Sequence, residues 1–171
     1  MEAIVRLKGE HMENMEYVVM LRESLEKKAD VLRVLQIRNK EQEAILKDPN
    51  STPDDLEKNM NMKAELIERI VMLDDGFEQL FKRVKAILDE DRDTYADEIK
   101  LMQDLIKRVT ELTADVEAGE YKNKEYAKTR FANIRKEARE IKKSGDVVSS
   151  YYKHMMSPQT TADPSFVDKK K

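Results

Sequence analysis

Apolar positions in this chain fall into long stripes separated by short polar breaks. Between Leu56 and Leu88, the residues Leu66, Ile70, Leu73, Phe77, Leu80, Val84 and Ile87 recur at alternating spacings of four and three. That spacing lines them up on one face of an α-helix as a core seam. Ile67, Phe81 and Leu88 lie beside the seam and widen it, while Glu, Lys, Arg and Asp fill the opposite face. A face this wide needs more than one partner, so the helix is expected to sit between two others. The strict period suits long, nearly antiparallel packing at shallow crossing angles.

The preceding stretch, Met12 to Lys47, keeps the same rhythm through Val18, Leu21, Leu25, Leu32, Leu35 and Leu46. Lys28, Asn39 and Gln42 fall on the same stripe. A polar residue at such a position costs stability and can fix register. Alternatively, the stripe rotates near Asn39 and these groups stay wet. Residues 1 to 11 are left open, because Ile4, Val5 and Leu7 suit a helix that Gly9 weakens. Asp48-Pro49-Asn50-Ser51-Thr52-Pro53 is the clearest break. Pro49 stops the first helix, Thr52 caps the next, and Pro53 takes its first position. Asp54 and Asp55 then place negative charge on the positive end of the helix dipole. So short a link makes the first two helices an antiparallel hairpin.

The segment Leu88 to Thr94 interrupts the rhythm and offers aspartates as caps. It predicts a turn, with one unbroken helix as the alternative. A third helix follows, with Tyr95, Ile99, Met102, Ile106, Val109, Leu112 and Val116 on its core face and Gly119 as a bend or frayed point. Ser144-Gly145-Asp146 predicts a stop and restart. The expected fold is all-α: an elongated antiparallel three-helix bundle or coiled coil over residues 1–143, with helices at about 12–47, 53–88 and 94–143. A short amphipathic helical segment, 144–156, and a flexible polar tail, 157–171, complete it.

Helices rise about 1.5 Å per residue, so the third helix should exhaust its partner by about residue 130. Beyond that point the chain still carries Phe131, Ile134, Ile141, Val147, Val148, Tyr151, Tyr152, Met155 and Met156. Apolar groups without an internal partner point to a binding surface. Tyrosines add contact area at low entropy cost, and methionines adapt to varied partners. The alternative is that this segment folds back and caps the bundle.

Composition narrows the function classes. Of 171 residues, 39% are charged, Pro and Gly number four each, cysteine is absent and the net charge is −3. The profile suits long solvated helices. No phosphate-binding face is expected, so nucleic acid is not a predicted partner. Without cysteine there is no disulfide framework and no thiolate chemistry. The opening MEAIVRLKGEH lacks the apolar run of a secretory signal, and no stretch is long enough to span a bilayer. A cytoplasmic protein without membrane insertion is expected, and Asn50-Ser51-Thr52 reads as a polar turn, not a glycosylation site. His11 and His154 have no metal-ligand spacing, and neither a phosphate loop nor a nucleophile elbow is present. No catalytic, metal or cofactor-binding residues are predicted, so the expectation is a protein that is not an enzyme.

The runs KKADVLRVLQIRNKEQEAIL, KAELIERIVMLDDGFEQLFKRVK and YADEIKLMQDLIKRVTELTADVEAGEYKN, with YYKHM and SFVDKKK near the end, resemble the FlgN-type flagellar export chaperones of Gram-positive, clostridia-like bacteria. The resemblance covers the chain from about Met15 onward and weighs most on Gln42-Glu43, Lys63, Leu73 to Phe77 and Asn123. It implies a cytoplasmic chaperone that holds the C-terminal helical segment of hook–filament junction proteins and delivers them to the type III export gate. Carried onto this chain, it implies client contacts at Phe131, Ile134, Ile141, Val147, Val148, Tyr151, Tyr152, Met155 and Met156. Two alternatives stand beside it: a homodimeric structural coiled-coil protein, and a FliT-like chaperone of the filament cap protein.

Overall fold

The structure, a computed structural model, describes residues 1–155. It consists of three helices: α1 (Glu2–Lys47), α2 (Pro53–Glu90) and α3 (Ala96–Met155). No strand occurs among the described residues. The fold is an all-α bundle, as the stripes predict. Packing divides the chain into two units, Met1–Tyr126 and the part from Ala127 onward. Met156 and the tail 157–171 lie outside the described residues.

The bundle of the first unit runs up, down and up. Contacts between α1 and α2 draw together toward the first turn, from Lys28–Asp74, 46 residues apart, to Gln42–Lys63, 21 apart. That convergence marks an antiparallel pair. Contacts between α1 and α3 keep a nearly constant separation, 76 for Arg22–Glu98, 79 for Gln36–Asp115 and 81 for Gln42–Asn123. A constant offset marks a parallel pair.

The predicted middle helix was α2, but α1 takes that place. Ten of its residues are buried, against three in α2 and four in α3. Val18, Leu21 and Leu25 of α1 meet Val84 of α2 and Tyr95 and Met102 of the following segment in one core cluster. Ala29 and Leu32 meet Val109 and Leu112 in a second. Of the α2 seam only Val84 is fully buried; Leu66, Ile70, Leu73, Phe77, Leu80 and Ile87 are half-buried. Its widening residues Ile67 and Phe81 remain 49% and 42% exposed. In α3, Leu105 packs against the core where Ile106 was predicted; Ile106 is exposed. The 102–105–109–112 series keeps the alternating three-four step, and Ile106 falls beside it.

The sequence pattern left residues 1 to 11 open and marked two breaks that the structure does not contain. Residues 2 to 11 are helical despite Gly9, as the first turns of α1. Ser144-Gly145-Asp146 lies inside α3 without a stop. No glycine has a positive φ, so none is needed here for a left-handed turn. Gly119 is likewise neither bend nor frayed end, but part of the same helix.

The two turns are built as their residues dictate. Asp48 Oδ1 accepts from the Asn50 amide at 2.9 Å, and the Ser51 hydroxyl donates to the Ile45 carbonyl at 2.6 Å. Thr52 and Asp55 form a capping box: Thr52 Oγ1 accepts from the Asp55 amide at 3.3 Å, and Asp55 Oδ2 accepts from the Thr52 amide at 2.8 Å. At the second turn, Asp91 accepts from both the amide and the hydroxyl of Thr94. The hydrogen bond from the Thr52 backbone, then that from its side chain, holds the Asp55 carboxyl below its ordinary range. A carboxylate favoured in the folded state stabilises above the ordinary aspartate pKa, and the contribution is lost as pH falls through the depressed value. The unfolding temperature of the native chain should therefore fall on acidification through that window more than that of Asp55→Asn. Parallel pH profiles for the two would assign the difference no role to Asp55.

Candidate functional site

Two features stand out from the packed core. The first is a layer of buried polar side chains across α1, α2 and α3 in the first unit. The alternating step that carries Val18, Leu21 and Leu25 continues in α1 to Asn39 and Gln42. In α2, the seam continues backward from Leu66 to Lys63 and Asn59. In α3, it runs from Val116 through Gly119 to Asn123. All five polar residues at these positions are buried. Asn39 and Gln42 therefore do not stay wet, and the stripe does not rotate away from the core.

Three asparagines, one from each helix, donate to a main-chain carbonyl of another helix. Asn59 Nδ2 donates to the Arg38 carbonyl at 2.9 Å. Asn39 Nδ2 donates to the Val116 carbonyl at 3.2 Å, and Asn123 Nδ2 donates to the Asn39 carbonyl at 2.9 Å. Gln42 Oε1 accepts from Asn123 Nδ2 at 3.1 Å and from Lys63 Nζ at 2.8 Å. Lys63 Nζ also lies 2.5 Å from Glu120 Oε1, so the buried ammonium has a counter-charge on α3. Asn39 Oδ1 and Asn59 Oδ1 have no hydrogen-bond partner among the described residues. Such a layer tolerates only the alignment in which each donor finds its acceptor. The amide donors of its three asparagines and the Lys63 ammonium all find acceptors on another helix, which makes it a device for register and pairing.

Gly119 belongs to this layer. A Cβ on it would stand 2.9 Å from Asn39 Nδ2 and 3.4 Å from Asn39 Cβ. The missing side chain is what lets Asn39 reach the α3 backbone. The spacing from Leu66 back to Lys63 and Asn59 could have located both in advance; polar identity hid them from a search for apolar stripes. Next to the layer, a groove of about 480 Å³ is lined by all three helices. Leu32, Leu35, Ile67 and Ile70 supply its apolar surface. The Lys63–Glu120 pair stands toward one end and the Lys28–Asp74 pair, at 2.5 Å, toward the other.

The second feature is the exposed stretch of α3 in the second unit. Every residue from 131 to 155 is exposed. Phe131, Ile134, Ile141, Val147, Val148, Tyr151, Tyr152 and Met155 range from 47% to 73% exposed. Tyr151 and Tyr152 touch edge to face, with ring centroids 6.0 Å apart. Of the predicted contact residues, eight thus share one helix and one exposed stretch, while Met156 falls outside the described residues. Among the described residues, no group of three or more His, Asp or Glu side chains could hold a metal ion. None of the described helices is long and apolar enough to cross a membrane. No family model, no curated protein and no solved structure matches this chain.

Replacing a helix-interior glycine by alanine gains up to about 1 kcal/mol. At Gly119 that gain is opposed by displacement of a buried, hydrogen-bonded amide, which costs about 1–3 kcal/mol. Gly119→Ala should therefore stabilise the chain when Asn39 is also alanine, and fail to do so when Asn39 is present. A double-mutant cycle by chemical denaturation should return a coupling of about 1–2 kcal/mol. Additive effects would remove Gly119 from the layer.

Proposed function

We propose that this protein is a cytoplasmic export chaperone of the flagellar type, which holds the C-terminal helical segment of a hook–filament junction protein and hands it to the export gate. One observation carries the reading: Phe131 to Met155 presents large apolar side chains on a helical stretch in which every residue is exposed. Contiguous apolar surface of this kind is costly in water and is retained where a partner covers it. The resemblance of the chain to the FlgN type supports the choice of partner. The bundle of the first unit has its own register fixed by the Asn39–Asn123 layer. An amphipathic client helix would lay its apolar face on the stripe, as in other helix-on-helix recognition. Covering that face would keep the client from assembling early.

Capture of a junction-protein C-terminal fragment by the full chain tests this. Ile141→Asp changes an exposed position, so helicity and unfolding temperature should stay at native values. Loss of one buried isoleucine, about 1.5–3 kcal/mol, should weaken capture by about tenfold to a hundredfold. Capture of a filament-cap fragment in its place would move the protein to the FliT-like class. Capture untouched by Ile141→Asp would remove this stretch from the mechanism.

A further inference from the structure

The exposed stretch of α3 carries a heptad repeat. From Ala127, the residues Phe131, Ile134, Ala138, Ile141, Gly145, Val148, Tyr152 and Met155 follow at spacings that alternate four and three without a break. The helix is continuous over all of them. In heptad terms, Phe131, Ala138, Gly145 and Tyr152 occupy the a positions, and Ile134, Ile141, Val148 and Met155 the d positions. A seam of period 3.5 is the pattern of a helix that supercoils with a partner. It is also out of step by one residue with the Val116–Gly119–Asn123–Tyr126 series, so it is a separate seam. We propose that residues 127–155 form one strand of a coiled coil with an acidic helix from another protein. This rests on the partner-holding reading above and gives that partner its chemistry.

Charge is the first ground. Residues 127–155 hold eight Lys and Arg against three Asp and Glu, whereas residues 1–126 hold 21 against 30. The basic excess reaches the edges of the seam. Arg135 and Lys142 occupy successive e positions, the flanks where interhelical ion pairs set partner choice. The partner therefore needs Glu or Asp on the flank that meets them.

Packing is the second ground, and it bears on a second copy of this chain. In a parallel in-register pair, each a position meets its own copy. Ala138 would face Ala138 and Gly145 would face Gly145, leaving the middle of the seam underfilled. Among the described residues, no atom stands within 4 Å of a Cβ built on Gly145, so they do not fill that space. In an antiparallel pair, e positions face e positions, and Arg135 and Lys142 would meet like charges. A partner with bulky core residues opposite Ala138 and Gly145 and acidic flanks has neither fault.

The test uses the full chain and two synthetic four-heptad peptides with the same Leu and Ile core, one with Glu and one with Lys at its flanking positions. Fluorescence anisotropy should give at least tenfold tighter binding of the Glu peptide, weakening as salt rises. The double variant Arg135→Glu/Lys142→Glu should reverse the preference, and Ile141→Asp should abolish both. Equal binding of the two peptides, or none, overturns the proposal. So does self-association of the full chain that Ile141→Asp removes, or binding to phosphatidylserine vesicles with none to either peptide. Peptide preference without capture of the junction fragment would leave this inference standing and end the chaperone reading. Capture that ignores the charge reversal, with peptides indifferent, would do the opposite.

Discussion

The bundle depends on three asparagine side chains that reach across to main-chain carbonyls: Asn59 to Arg38, Asn39 to Val116 and Asn123 to Asn39. Apolar contacts between long heptad helices are nearly degenerate, because sliding one helix by a heptad replaces leucine by leucine. A buried amide has no such freedom. Moved away from its acceptor it is left unpaired, at about 1–3 kcal/mol each. The apolar seam therefore supplies most of the driving force, and the polar layer chooses among alignments that the seam alone would barely distinguish. Lys63 of α2, held between Gln42 and Glu120, adds a charge that is tolerable only with α1 and α3 both in place.

Helix α2 packs less closely than α1. Val84 is enclosed, while Ile67 and Phe81 remain partly open and a groove runs beside Leu32 and Leu35. Helix α1 carries the apolar series and is donor or acceptor in each of the three asparagine bonds, and it is the most covered of the three. The most regular stripe in the sequence, that of α2, turns out to belong to a less covered helix. Regularity of spacing reports which residues share a face, and it does not report how much of that face a neighbour covers.

Much of the fold was legible from local chemistry. Thr52-Pro53 with Asp55 marks a helix start by groups that lie within four residues of one another, and Asp91 with Thr94 marks a turn in the same way. The Val18-to-Leu46 stripe named the buried face of α1 without error at its leucines. What was not legible is non-local. Asn39 and Gln42 sit on the stripe, but whether they are buried depends on partners about 80 residues away. Gly119 looks like a weak point until Asn39 is placed against it. Gly145 looks like a stop, yet the helix passes through it, because a single glycine costs only about 1 kcal/mol against the propensity of its neighbours. The exposed stripe was legible as apolar positions, whereas its unbroken heptad period emerges only once the helix is continuous.

The up, down and up course of the first unit sets an order of assembly. Pairing α1 with α2 closes loops as short as the 21 residues between Gln42 and Lys63. Pairing α1 with α3 closes loops of 76 to 84. The entropy difference, about 1.2 kcal/mol, favours the hairpin. Gln42 then has Lys63, but the Asn39 amide must wait for Val116 and Asn123 of α3 to dock. The hairpin alone thus leaves one inward amide, that of Asn39, without the acceptor that the third helix brings.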